Sequence, residues 1–136
     1  MRILLADDQL NVRFALCALL EQQSGLEVVG EATDVEDLLV QVKTTCPDLV
    51  LLSHELPGPV AVDLLPALRK VCPDLCVIVL SGQPEARQAA LAVGAYAFVS
   101  KADPPERLLA AIWSVQRTDA ALPMEEQVSF CKTGRE

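Results

Sequence analysis

Several polar residues that could do chemistry each follow an apolar run of the chain: Asp7 and Asp8, Ser53, Ser81, and the pair Ser100-Lys101. Ser53 is the most unusual of them, because the entirely apolar stretch from Leu49 to Leu52 leads straight into Ser53-His54-Glu55. A serine beside a histidine suggests covalent catalysis, in which the hydroxyl attacks once a general base has removed its proton.

The neighbouring histidine does not suit the role of that base. Adjacent residues on a strand point to opposite faces, so we expect the side chains of Ser53 and His54 to diverge. His54 is the only histidine in the chain, and the residues around Ser53 lack the Gly-x-Ser-x-Gly pattern of serine hydrolases. The sequence therefore predicts that Ser53 is a small polar residue rather than a nucleophile, and that the protein is not an enzyme.

Five short apolar runs alternate with helical patterns along most of the chain. The predicted strands are residues 3–6, 26–29, 49–52, 77–80 and 97–99. Such continuous apolarity is typical of strands that are covered on both faces, as in a parallel sheet. Apolar stripes at three- and four-residue spacing separate the strands, with a weaker, Ala-rich fourth helix at 85–93. Five strand-helix units predict a parallel sheet with helices on both faces.

The expected helix ends are marked by specific residues. Thr33-Asp34-Val35-Glu36 has the pattern of a capping box before the second helix. Gly25 and Gly94 lie where helices should stop. Pro66 would break a helix interior, so we expect the third helix to begin near Asp63 and to hold Pro66 in its first turn.

The predicted sheet gathers the polar residues at one edge. In parallel α/β sheets the ligand site lies beyond the carboxyl ends of the strands. Asp7 and Asp8 follow the first strand, Ser53 the third, Ser81 the fourth and Lys101 the fifth. We therefore expect two carboxylates, two hydroxyls and an amine to converge in one place.

Composition narrows the class of protein. The 136 residues fit one domain, and the net charge of −8 without a basic cluster argues against nucleic-acid binding by this chain. No apolar run approaches the ~20 residues of a membrane span, and acidic residues follow the start too soon for a signal peptide. The five cysteines are an odd number at irregular spacings, which predicts reduced thiols in a cytoplasmic protein.

Four motifs follow one another along the chain, at 3–8, 47–58, 79–82 and 94–101. Together they resemble the CheY-like receiver domain of bacterial two-component response regulators. The resemblance runs from Arg2 to about Arg117, and Val99 to Asp103 is similar to the branch with LuxR-type helix-turn-helix output domains. It implies a flavodoxin-like (βα)5 doubly wound sheet of strand order 2-1-3-4-5. Residues 1–117 would form the receiver domain, and 118–136 a tail or linker, partly disordered or packed on a neighbouring molecule.

The resemblance also implies a role for each strand-end residue in phosphorelay signalling. In the family, an acidic pair after the first strand holds Mg²⁺, a hydroxyl and a lysine bind phosphoryl oxygens, and an aromatic residue changes rotamer on activation. The matching residues are Asp7 and Asp8 for the metal, Ser81 and Lys101 for the phosphoryl oxygens, and Ser81 with Phe98 for the switch.

Ser53 departs from the family pattern, in which an aspartate ending the third strand accepts the phosphoryl group. A carboxylate is anionic at neutral pH and ready to attack, whereas a serine hydroxyl needs activation. Losing that charge also lowers the expected affinity for Mg²⁺, which Glu55 would offset only in part as a further ligand.

The sequence thus predicts a phosphorylation-independent protein-interaction module of the response-regulator type. A homodimer or partner contact is expected through the fourth helix, fifth strand and fifth helix, and Tyr96 would strengthen that expectation if it were exposed beside Trp113. A sensor histidine kinase is the partner in the parent family. The alternative is the N-terminal receiver part of a transcription regulator whose helix-turn-helix domain is absent here, silenced by an Asp-to-Ser change.

Overall fold

Five strands and five helices alternate in the computed structural model, which describes residues 1–56 and 61–118. The strands are β1 (Arg2–Ala6), β2 (Glu27–Ala32), β3 (Leu49–Ser53), β4 (Cys76–Ser81) and β5 (Ala97–Ser100). The helices are α1 (Leu10–Glu21), α2 (Val35–Thr45), α3 (Ala61–Val71), α4 (Arg87–Ala92) and α5 (Pro105–Thr118). A short 3₁₀ turn, Pro84–Ala86, precedes α4. The predicted tail at 119–136 lies outside the described residues.

The strands form one parallel sheet in the order β2-β1-β3-β4-β5, which confirms the predicted fold. The register aligns the carboxyl ends of the central strands. Ala6 pairs with Leu52, Ser53 with Leu80, and Ser81 with Ser100. The residues that follow these strands therefore leave the sheet at one common edge.

The sheet is buried on both faces because its side chains alternate between two hydrophobic layers. Leu4, Val50 and Val77 face one layer, which α2, α3 and α4 complete. Ile3, Leu51 and Ile78 face the other layer, which α1 and α5 complete. Every residue of β3 and β4 is buried, as expected of central strands covered on both sides.

The cap of α2 is one residue away from the predicted position. Asp34, not Thr33, is the N-cap residue, and its carboxylate accepts a hydrogen bond from the backbone N–H of Asp37 at 2.7 Å. A carboxylate at this position satisfies a free N–H and complements the positive end of the helix. Thr33 is exposed.

The predicted start of α3 was wrong. The helix begins at Ala61, so Pro66 lies in its interior rather than in its first turn. Proline there removes one backbone hydrogen bond. The burial of Leu64, Leu65 and Leu68 on one face offsets that loss, since each is less than 5% exposed.

Two other local predictions were confirmed. Gly94 directly follows the C-cap residue of α4 and has a φ of +105°, a backbone conformation that suits glycine. Gly25 has a φ of +90°, but it lies three residues beyond Gln22, the C-cap residue of α1, and so does not itself end that helix. The fourth helix is short, with six residues after the 3₁₀ turn.

The described cysteines are free thiols. They are Cys17, Cys46, Cys72 and Cys76, and Cys131 lies outside the described residues. Cys46 and Cys72 are in side-chain contact, which their spacing in the sequence does not indicate. In residues 1–56 and 61–118, every helix is too short or too polar to span a membrane.

Candidate functional site

The carboxyl edge of the sheet brings together Asp7, Ser53, Ser81 and Lys101. The first three side chains are almost fully buried, with at most 2% of their surface exposed. A backbone hydrogen bond also connects β4 and β5 at this edge of the sheet, since the N–H of Lys101 donates to the carbonyl of Ser81 at 2.8 Å. The predicted convergence therefore occurs for these four residues.

Lys101 is the centre of the site. Its Nζ lies 3.1 Å from Oγ of Ser53, 3.1 Å from Oδ2 of Asp7 and 3.2 Å from Oε1 of Glu55. Its side chain is about one quarter exposed, so the ammonium group closes the pocket at the surface. The ammonium group of Lys101, which follows β5, thus joins Asp7 after β1 to Ser53 and Glu55 at the end of β3.

The two acidic residues after β1 have different surroundings. Asp7 is buried, and its Oδ1 accepts the N–H of Gln9 at 2.9 Å, while Oδ2 receives no hydrogen bond despite its ion pair with Lys101. Asp8 is exposed and has no hydrogen bond or ion pair with the described residues. The expectation that Asp8 meets Ser53 and Lys101 is not matched by the bonds of this site, in which Lys101 joins Asp7 and Ser53.

Glu55 enters the site from two residues beyond β3. Its Oε2 accepts the hydroxyl of Ser81 at 2.7 Å, and its Oε1 lies 3.2 Å from both Nζ of Lys101 and Oγ of Ser53. The backbone N–H of Glu55 also donates to Oγ of Ser53 at 3.2 Å. Partial burial would raise the pKa of Glu55, but the hydrogen bonds from Ser81 and Lys101 hold that pKa below its ordinary value.

Sequence reasoning placed Glu55 at the metal and missed these contacts. A small residue at position 53 followed by a long acidic side chain at position 55 is the sequence signal that could have predicted these contacts of Glu55. The space above a serine at the strand end is open to a carboxylate that reaches back from the following turn.

The surroundings of Ser53 contain no imidazole acting as a base. Among the described residues, the hydroxyl of Ser53 bonds to Glu55 and Lys101. Nδ1 of His54 is buried without a hydrogen-bond partner. The backbone N–H of His54 continues the pairing of β3 with β4 by donating to Leu80 at 2.8 Å.

The aromatic residues near β5 are mostly buried. Phe98 is 9% exposed and packs with Ala86 and Ala90 in the layer that contains α4. Tyr96 is fully buried, and its hydroxyl lies 2.6 Å from Oγ of Ser114, so Tyr96 does not strengthen the case for a contact on this face. Trp113 is half-buried and packs against the opposite layer.

The metal-binding capacity of the site is limited. Receiver domains typically bind Mg²⁺ at an acidic strand edge. Oδ2 of Asp7 is a buried carboxylate oxygen without a hydrogen bond, and Asp8 lies next to it in the chain, which suits a hydrated cation. Within residues 1–56 and 61–118, however, no three His, Cys, Asp or Glu side chains gather closely enough to hold a metal.

A doubly wound parallel sheet with an acid, two hydroxyls and a lysine at its carboxyl edge defines a CheY-like α/β domain. The profile of the response regulator receiver domain matches residues 3–113. The chain belongs to this family.

Curated relatives agree with this assignment. Over 133 residues the chain is 32% identical to the phosphate regulon transcriptional regulatory protein PhoB of Escherichia coli, covering 95% of this chain and 57% of PhoB. It is 31% identical over 115 residues to the response regulator UvrY of Escherichia coli, covering 83% of this chain and 53% of UvrY. The chain thus spans about half the length of these relatives.

Solved structures show the same fold. A LuxR-family two-component response regulator from Aurantimonas superposes with a TM-score of 0.79 at 28% identity, covering 86% of this chain and 85% of that one. The signal receiver domain of the putative response regulator NarL from Mycobacterium tuberculosis gives 0.77 at 27% identity, covering 85% and 95%.

Proposed function

We propose that this receiver domain is a phosphorylation-independent, cytoplasmic protein-interaction module in two-component signalling, and not an enzyme. In this proposal Ser53 stands where the family has its phosphoacceptor aspartate. The observation that carries it is the chemistry around Ser53 Oγ, a buried hydroxyl held 3.1 Å from the ammonium group of Lys101.

This environment opposes nucleophilic attack by Ser53. A serine must lose its proton to a base, but the acid bonded to it, Glu55, has a lowered pKa and is therefore a weak proton acceptor. The ammonium group of Lys101 also occupies part of the space around the oxygen. Both effects favour a silent acceptor position.

Magnesium, when bound, would supply positive charge that offsets the charge of a phosphoryl group. Asp7 and Asp8 are the residues that would hold it, with Glu55 as the further ligand expected from the sequence. The bonds of Glu55 to Ser81 and Lys101 compete with that role. Weak binding is therefore expected, in about the millimolar range.

Acetyl phosphate with Mg²⁺, followed by intact mass measurement, tests the proposal. The unmodified chain should gain no phosphoryl group, whereas Ser53→Asp should gain one. Ser53→Asn is the matched control, because it has the size of aspartate without its charge. Stable phosphate on Ser53 of the unmodified chain would refute the proposed function.

A specific observation favours a second proposal for the whole protein. Because the chain spans only 57% of PhoB and 53% of UvrY, it would be the N-terminal receiver of a DNA-binding transcription regulator. A reading frame that continues past Glu136 into a helix-turn-helix would support this version. A stop codon there would support a stand-alone receiver.

Response regulators interact with kinases and form dimers, and some bind DNA. For this chain we propose a homodimer or partner contact through α4, β5 and α5. Because Tyr96 is buried, it adds no exposed aromatic side chain to that face. By contrast, α1 exposes Phe14 and Leu10 at 74% and 70%, one helical turn apart. Sedimentation of Trp113→Ala and Phe14→Ser variants would show which face mediates self-association.

A further inference from the structure

We propose that Glu55 is an internal ligand of the phosphoryl subsite, so that its carboxylate occupies the place that phosphoryl oxygens take in other receivers. The inference deepens the proposed function and rests on it, since it concerns a pocket in which Ser53 carries no phosphoryl group. In this chain the phosphoryl subsite is thus filled by the protein's own Glu55 side chain.

The contacts of Glu55 match those required of such a ligand. Its two oxygens reach Oγ of Ser81 at 2.7 Å and Nζ of Lys101 at 3.2 Å. The family resemblance assigns these same two groups to phosphoryl oxygens. A carboxylate that accepts a hydroxyl and an ammonium hydrogen bond forms charge-assisted interactions, which are stronger than neutral ones.

The size of Ser53 makes this position accessible. Residue 55 lies beyond the end of β3, and two methylene groups let its carboxylate reach back over the strand end. Oγ of Ser53 bonds to both the carboxylate and the backbone N–H of Glu55. Serine thus anchors the turn that delivers the carboxylate.

The charge of the pocket supports the same conclusion. The carboxylates of Asp7 and Glu55 flank the single ammonium group of Lys101. An acceptor aspartate in addition to these two would bring three carboxylates around one lysine. With serine at position 53, Glu55 provides the second negative charge without that repulsion.

The occupied subsite is connected to the segment that precedes α4. Oγ of Ser81 donates to Glu55 and accepts the backbone N–H of Gln83 at 2.9 Å, directly before the 3₁₀ turn Pro84–Ala86. Phe98 belongs to the same hydrophobic layer as Ala86 of that turn. The position of Ser81, and with it this surface, is therefore set by Glu55 rather than by a phosphodonor.

Competition with inorganic phosphate tests the proposal. The unmodified chain, Glu55→Ala and Glu55→Gln would be titrated with phosphate while the amide NMR signals of Gln83 and Lys101 are followed. Removing a tethered competitor should lower the dissociation constant for phosphate about tenfold in Glu55→Ala. Glu55→Gln should fall between, because it keeps the hydrogen-bonding shape and loses the charge.

Glu31→Ala is the matched control. Glu31 lies near the carboxyl end of β2, and its side chain is 42% exposed against 38% for Glu55. It pairs with Arg13 at 2.9 Å and has no bond to Ser81. Glu31→Ala removes one carboxylate charge, as Glu55→Ala does, but this charge has no bond to Ser81 or Lys101. The substitution should therefore leave the affinity for phosphate close to that of the unmodified chain. Equal affinities for the unmodified chain and Glu55→Ala, including no binding by either, would overturn the proposal.

The two proposals fail separately. Phosphate on Ser53 after treatment with acetyl phosphate would refute the silent acceptor. The ratio of the phosphate dissociation constants of Glu55→Ala and the unmodified chain would still decide whether Glu55 is an internal ligand. An unchanged ratio would refute the internal ligand, while the acceptor position could still be silent.

Discussion

Oγ of Ser81 lies 2.7 Å from Oε2 of Glu55, across the carboxyl edge of β3 and β4. The strand pattern predicted that Ser81 lies in the site. Glu55 lies in the turn after β3, and its side chain reaches back into the site. This hydrogen bond stabilises the ionised form of Glu55 and makes the stability of the domain depend on pH.

The first prediction concerns that pH dependence. Because the folded-state pKa of Glu55 lies below the ordinary value of 4.5, its contribution to stability is fully present above the unfolded-state pKa. That contribution is lost as pH falls through the folded-state pKa. Urea unfolding midpoints measured from pH 7 to pH 3 should therefore fall more steeply for the unmodified chain than for Glu55→Gln. Parallel curves for the two proteins would contradict the prediction.

The second prediction concerns the buried pair Tyr96 and Ser114. Their oxygens lie 2.6 Å apart between the start of β5 and α5. Tyr96→Phe and Ser114→Ala should each lower the free energy of unfolding by about 1 kcal/mol, because each removes the hydrogen bond between these two buried side chains. The double variant should lose less than the sum of the two. Strict additivity in urea unfolding would show that the hydroxyls do not interact.

The third prediction separates two assignments of the α2 cap. Asp34→Ala should lower the free energy of unfolding by about 1 kcal/mol, because the N–H of Asp37 loses its acceptor. Thr33→Ala, one residue earlier and exposed, should change it by less than about 0.5 kcal/mol. Chemical denaturation of both variants checks the prediction, and a larger loss for Thr33→Ala would restore the capping box expected from the sequence.

The fourth prediction concerns thiol reactivity. Burial, followed by the hydrogen bond to Glu31, raises the pKa of Cys17 to about 11. At pH 8 only about one Cys17 in a thousand is then a thiolate, the reactive form. Alkylation with iodoacetamide followed by peptide mass spectrometry should label exposed Cys46 well before Cys17.

Glu31→Gln provides the internal check on this assignment. It removes a carboxylate that raises the pKa of Cys17, so labelling of Cys17 should accelerate while that of Cys46 stays the same. Equal rates for Cys17 before and after the substitution would show that Glu31 does not influence the thiol.

Much of the fold follows from the sequence because burial on two faces demands continuous apolar strands. The runs at 49–52 and 77–80 predicted the central strands closely, and the structure extends them only to Leu49–Ser53 and Cys76–Ser81. Polar residues after such runs must emerge at the carboxyl edge of a parallel sheet. The meeting of Ser53, Ser81 and Lys101 could therefore be predicted without coordinates.

Other features could not be predicted in this way, since they depend on where a side chain turns after leaving a strand. Asp7 and Asp8 are adjacent in sequence, yet one is buried against Lys101 and the other is exposed. The sequence left open whether Tyr96 is exposed, and the structure buries it with its hydroxyl 2.6 Å from Oγ of Ser114.

The sequence by itself determined the five-unit α/β domain and the set of groups at its edge, because apolar periodicity and strand direction are local properties of the chain. Only the tertiary structure decided which groups bond to one another. Glu55 reaches Ser81 across 26 positions of sequence, and Lys101 reaches Ser53 across 48. Such contacts arise from the packing of parallel strands and the conformation of the turns between them, and the pairing of charges in a buried pocket follows from that geometry.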